Sequence, residues 1–214
     1  MKTRSEAAIL EQYRVALENV KTQNEIAVQM QDLNYDTTKI TEGEELLAAT
    51  RSAYDFKKLE DGETTEASAA FKNAKENLSS MYRKHRKKAK AVLRKQPEAL
   101  KKIGIVGIVP QAYTNWIETI RLFYSNTDTG ILEKLATLKI TPEDMTNGVL
   151  AIQQVEQTRA IYLKEVGESE DATKQKDAAF AKMDDWMRDF YAVANIALEE
   201  QPQLMEALSR KRKS

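Results

Sequence analysis

Eight cations crowd into one stretch of thirteen residues: Arg83, Lys84, Arg86, Lys87, Lys88, Lys90, Arg94 and Lys95, with no acid among them. On a helix turning about 100° per residue, Arg83, Arg86, Lys87, Lys90 and Arg94 share an arc of about 100°. A stripe of this kind can neutralise phosphates or carboxylates, and these five residues are the candidate anion- or partner-binding set. Two features favour a solvated face or a protein partner over nucleic acid. The chain carries 33 Lys and Arg against 33 Asp and Glu, a formal net charge of zero. No exposed aromatic is interleaved with the cations to stack on bases.

The remaining candidates for chemistry are sparse. His85 is the single histidine, and Leu78, Met81, Tyr82, Ala89 and Val92 share its face, so it reads as a core-edge side chain with a hydrogen-bond partner. One histidine excludes a di-iron bundle, which needs Glu-x-x-His on two helices. The absence of cysteine excludes thiolate zinc sites, disulfides and a cysteine nucleophile. Asp184 and Asp185 lack the further oxygen ligands at fixed spacing that a hard cation needs, and Asp184 is placed to pair with Arg188 four residues on. Trp116 and Trp186 lie on apolar faces as core anchors. No Walker loop, Rossmann glycines or Ser/His/Asp set occurs. The reading is therefore a non-enzymatic chain with no catalytic residues, no metal and no cofactor.

The elements that must position these residues read as helices. Hydrophobic residues make up 42 % of the 214, and Gly and Pro are few, at seven and four. Ile9, Tyr13, Leu17 and Val20 recur at helical spacing from about Ser5, in a helix that continues, with a kink, to about Leu33. Thr41 with Glu44, and Thr141 with Pro142, Glu143 and Asp144, read as capping boxes. Gly62 and Gly167 read as helix ends followed by caps at Thr64 and Ser169. Gln96-Pro97 and Gln201-Pro202 terminate the long helices. Residues 104–110 are apolar and predict a packed connector.

The two halves repeat. Held 105 residues apart, residues 62–97 align with 167–202 without a gap, and nine of the 36 positions are identical. Upstream, Lys39-Ile40-Thr41 matches Lys139-Ile140-Thr141 at an offset of 100. The organisation expected is a helical repeat over 1–103, a connector over 104–109, a second repeat over 110–209 and a basic tail over 210–214. The fold class is all-α: two diverged repeats of antiparallel helices in an up-and-down bundle or two packed bundles. Residues 1–103 carry 20 cations and 16 acids, and residues 104–214 carry 13 and 17. Asp184, Asp185, Asp189, Glu199 and Glu200 stand where the first repeat has Ser79, Ser80, Lys84, Arg94 and Lys95, so complementary faces for packing or self-association are expected.

The N-terminus shows no apolar leader region, and no apolar run approaches the ~20 residues of a membrane span, so a cytoplasmic protein without membrane contact is expected. Residues 167–174, Ala178-Ala179-Phe180, Asp184-Asp185-Trp186-Met187, Asp189-Phe190 and Gln201-Pro202-Gln203-Leu204 resemble a family of small uncharacterised bacterial helical-repeat proteins. The resemblance implies a bacterial origin and carries no activity. The function expected is a structural or interaction module, with a protein partner or self-association; the alternative is anion or nucleic-acid binding through the 83–95 face.

Overall fold

The chain's helix-favouring composition is realised almost throughout. The structure, a computed structural model, describes residues 4–209, so the 210–214 tail lies outside the described residues. Seven α-helices follow in order: α1 (Glu6–Thr22), α2 (Asn24–Gln31), α3 (Thr37–Val92), α4 (Pro97–Lys102), α5 (Tyr113–Ser125), α6 (Thr129–Ala136) and α7 (Pro142–Ala197). A 3₁₀ turn closes the chain at Pro202–Glu206. No strand occurs among the described residues. No described helix is long and apolar enough to cross a membrane.

Two compact units share the long helices. Unit 1 comprises Met1–Asp61 with Glu168–Ser214, and unit 2 is Gly62–Gly167. In unit 1, Leu17, Val20, Ile26, Met30, Ile40, Met183, Phe190 and Leu198 form the core. In unit 2, Leu78, Tyr82, Leu93, Ile120, Phe123, Leu135, Ile140 and Ile152 do so. Within each unit α3 and α7 run antiparallel. In unit 1, Gly43 meets Trp186 and Thr50 meets Ala179, so the α7 number falls as the α3 number rises. In unit 2, Thr64 bonds the Glu165 carbonyl at 3.0 Å and Phe71 stacks on Tyr162 at 6.0 Å.

Gly62 and Gly167 do not end helices. α3 and α7 pass through them without a break. Neither has a positive φ, and nothing lies within 4 Å of a Cβ built on either. A glycine inside an exposed helical turn costs about 1 kcal/mol relative to alanine, which two packed neighbouring turns easily offset. The proposed caps serve elsewhere: Thr64 donates to the Glu165 carbonyl and Ser169 to Asp61 Oδ1 at 3.1 Å.

Glycine is required instead at Gly43 and Gly148. A Cβ on Gly43 would run into the Trp186 ring, and one on Gly148 into the Tyr124 ring. The helices let an aromatic lie directly on the backbone at these two points.

The long helices begin 105 residues apart, at Thr37 and Pro142, and end 105 apart, at Val92 and Ala197. α2 and α6 keep the same spacing. So do their left-handed exits, Asn34 (φ 65°) and Lys139 (φ 57°). After each exit an amide reaches back five residues, Tyr35 to the Met30 carbonyl at 2.9 Å and Ile140 to Leu135 at 3.3 Å, which is a Schellman closure. The Lys-Ile-Thr match at offset 100 therefore joins unlike places: Ile40 sits in the first turn of α3, whereas Ile140 precedes α7.

This register also moves the first cap. Asp36, not Thr41, caps α3, its carboxylate accepting from the Lys39 N–H at 3.0 Å. Thr41 lies one turn inside the helix and donates to the Thr37 carbonyl at 2.8 Å. The second capping box forms as expected: Thr141 N–H donates to Asp144 Oδ2 at 2.8 Å, and Asp144 N–H donates to Thr141 Oγ1 at 3.1 Å. The expected kink before Leu33 is a break at Gln23, between α1 and α2. The apolar connector is packed at its two ends, where Ile105 is buried and Val109 lies against the unit 2 core; between them Val106 and Ile108 point to solvent.

Candidate functional site

The basic face is built by the burial of its opposite side. In α3, Leu78, Tyr82, His85, Ala89 and Leu93 recur at three- and four-residue steps and all are buried in unit 2. Periodicity then forces the intervening cations outward. Arg83, Lys84, Lys87, Lys90, Arg94 and Lys95 are exposed.

The five candidate residues do not behave alike. Lys87 and Lys90 project from α3 and Arg94 from the turn that follows it, and none reaches a carboxylate among the described residues. Arg83 is exposed but folds back, its Nε donating to the Ser79 carbonyl at 3.3 Å. Arg86 is half-buried and donates through Nη2 to the Gly107 carbonyl at 2.7 Å, which ties down the turn where Gly107 has φ 59°. Its guanidinium also lies against the Tyr82 hydroxyl. Arg86 thus braces unit 2. Lys88 likewise points at the Lys139 carbonyl at 3.4 Å.

Unit 1 treats its cations differently. Arg14 pairs with Glu11, Lys21 with Glu44, Arg51 with Asp55 and Lys176 with Glu6. Counted over the sequence, unit 2 holds 17 Lys and Arg against 11 Asp and Glu, and unit 1 holds 16 against 22. The basic run is the uncompensated part of a unit with net charge +6, and unit 1 carries −6.

An open groove of about 840 Å³ continues the stripe toward the N-terminal side of Arg83, lined by Lys72, Lys75, Arg83, Pro110, Gln111 and Trp116. Its aromatic floor is not a stacking platform. Trp116 is 6 % exposed with the Lys75 ammonium over its ring at 5.4 Å, and Tyr82 is 1 % exposed. Lys75 and Lys72 were legible as the same stripe about two and three turns before Arg83, but the Glu76 beside them hid the continuation.

The other candidates resolve as structure. His85 is buried, and its Nδ1 lies 3.1 Å from the Tyr124 hydroxyl. Burial holds its pKa below the ordinary 6.5; Asp144 opposes the shift, and Lys88 and Lys84 reinforce it. Tyr124 is in turn pushed well above the usual phenol range by burial. Buried and bonded in this way, the imidazole is part of the unit 2 core. The aspartate doublet is divided: Asp184 accepts from the Tyr13 hydroxyl at 2.8 Å, and Asp185, not Asp184, pairs with Arg188 at 2.6 Å. The two carboxylates turn to different partners and hold no common cation position. Trp186 and Trp116 are both buried, Trp186 stacked on Phe190 at 5.5 Å.

No protein-family model, no curated protein and no solved structure matches the chain, so the resemblance described above rests on its residues alone.

Proposed function

We propose that the chain is a non-enzymatic helical interaction module, built from two diverged helical repeats, that docks an acidic protein surface through the C-terminal half of α3. One observation carries this reading: Lys84, Lys87, Lys90, Arg94 and Lys95 stand exposed with no carboxylate partner among the described residues, while most of the described cations of unit 1, such as Arg14, Lys21, Lys39 and Arg51, pair with acids of the same unit. Holding like charges together costs stability, and a partner that supplies the opposite charge offsets that cost on binding. A protein partner is favoured over nucleic acid because the aromatic rings beside the stripe are buried and leave only backbone-type contacts. The single histidine, sealed against Tyr124, supports the non-enzymatic reading.

The test is retention on immobilised poly-glutamate against immobilised duplex DNA, read as the salt needed for elution. The wild type should be held by poly-glutamate, and Lys87→Glu/Lys90→Glu/Arg94→Glu should elute at much lower salt. Arg86 is left intact because it braces the turn at Gly107. Equal elution of the two proteins would sink the proposal, and retention by DNA alone would replace it with nucleic-acid binding through the same face.

A further inference from the structure

The acidic counterpart of the α3 face lies on this same chain. On α7, Asp185, Asp189, Ala192 and Ile196 are exposed and fall on one helical face, and the exposed Glu199 and Glu200 follow in the turn just past the helix end. Ile196 is 65 % exposed, a large apolar side chain standing among acids. Shifted by the 105 residues that separate the two helices, the face reads Ser80, Lys84, Lys87, Ala91, Arg94 and Lys95. At each end an acid therefore answers a cation: Asp189 corresponds to Lys84, and Glu199 and Glu200 to Arg94 and Lys95. In the centre Ile196 corresponds to Ala91, which is exposed and small. One face carries a knob ringed by carboxylates, and the other a gap ringed by cations.

We infer that two copies of the chain associate through these faces, the α7 face of unit 1 in one copy on the α3 face of unit 2 in the other. The proposal rests on the reading of the α3 face as a docking surface and names its partner as a second copy. The three contacts form together only when the two faces run the same way, because reversal would set Ile196 against Lys87 and Lys88 instead of Ala91. Lys84 precedes Arg94 and Lys95 by the same number of residues as Asp189 precedes Glu199 and Glu200, and in both cases the charge pair stands in the turn just past the helix end. Exposed ion pairs contribute little each and are screened over about 8 Å at physiological salt, so they set register and approach rate. The central contact supplies the anchor. Ile196 already faces water, and its burial against the Ala91 gap removes apolar surface at about 25 cal/mol per Å². Because the two faces are different, the interface is of the head-to-tail kind, which closes into a ring or extends as a chain according to its rotation.

The experiment is sedimentation velocity at low salt over a range of protein concentrations. The wild type should sediment as species larger than the 24.3 kDa monomer and revert to monomer as salt rises. Two charge-reversed variants are each expected to stay monomeric: Lys87→Glu/Lys90→Glu/Arg94→Glu, and Asp189→Lys/Glu199→Lys/Glu200→Lys. Mixed one to one, they should associate, because the unaltered acidic face of the first meets the unaltered basic face of the second. That rescue also shows both variants folded. Ile196→Asp should weaken association at least tenfold while poly-glutamate retention stays unchanged. A wild type that is monomeric at every concentration would overturn the inference while leaving poly-glutamate binding, and the docking reading, intact. Association unaffected by both reversals would overturn it as well.

Discussion

Replacing Gly62 or Gly167 with alanine should make the protein more stable. Both glycines lie inside unbroken helix, neither has a positive φ, and a Cβ at either place meets nothing within 4 Å. No steric term then opposes the intrinsic preference for alanine, which is worth about 0.8–1.0 kcal/mol per helical site. The expected gain is about 1 kcal/mol for each variant, or a rise of about 2–4 °C in Tm for a chain of this size. Urea unfolding read by circular dichroism measures it as a higher midpoint at unchanged slope. Had the chain left the helix at these glycines in a left-handed turn, alanine would instead cost about 1–2 kcal/mol. The sign of the change therefore decides, and a lowered midpoint for Gly62→Ala would refute the reasoning. Gly43→Ala and Gly148→Ala provide the contrast within the same helices. The same propensity gain is opposed there by collision with Trp186 or Tyr124, rings held by stacking on Phe190 and by the His85 bond. Overpacking of that kind typically costs about 1–3 kcal/mol, and the clash here involves a ring against backbone, so both variants should lose stability.

Stability should also fall as pH drops below the unfolded histidine value of 6.5, because burial keeps folded His85 neutral while the unfolded chain takes up the proton. Above that pH the contribution is complete, and His85→Phe/Tyr124→Phe should flatten the acid limb of a stability–pH curve. Tyr13 is raised above ordinary phenols by burial and by its bond to Asp184, and Tyr124 by burial, so an absorbance titration at alkaline pH should leave both un-ionised after the exposed tyrosines, and Tyr13→Phe should remove one late step. Thr141→Ala breaks a reciprocal cap and should lower stability by about 1 kcal/mol in urea unfolding, whereas Thr41→Ala, which removes only a mid-helix bond to Thr37, should have a smaller effect.

Much of this fold was legible in single positions, for physical reasons that also explain the failures. The helical periodicity of Leu78, Tyr82, His85, Ala89 and Leu93 comes from one-sided burial, which sequence records directly, so the core stripe and the outward cations followed from it. Thr141-Pro142-Glu143-Asp144 was legible because three independent preferences agree there. Thr41 with Glu44 had only the spacing, and the competing cap, Asp36, needs only its own carboxylate. Glycine is ambiguous by nature: at Gly62 it reads as an end, although nothing requires one, and at Gly148 its purpose is a ring that arrives from α5, over twenty residues away. The partners of Asp184 and Arg188 were missed because Asp184 is taken by the half-buried Tyr13 hydroxyl, brought in from α1, and Arg188 finds Asp185 one residue nearer. Periodicity placed Arg83, Lys87 and Lys90 on the solvent side of α3, but the commitment of Arg86 depends on where the Gly107 carbonyl comes to rest, which local spacing does not encode.

Unit 2 is a single uninterrupted stretch, Gly62–Gly167, whereas unit 1 is assembled from Met1–Asp61 and Glu168–Ser214. On the ribosome the inner stretch can close once it has left the exit tunnel. The stretch before it cannot, because Leu17, Ile26 and Met30 find their cover in Phe190 and Leu198, which are translated only after unit 2. At about 5–20 residues per second, the interval between Asp61 and Glu168 is on the order of 10 s. For that time the nascent α1 and α2 carry uncovered apolar faces, the kind of surface a holding chaperone covers.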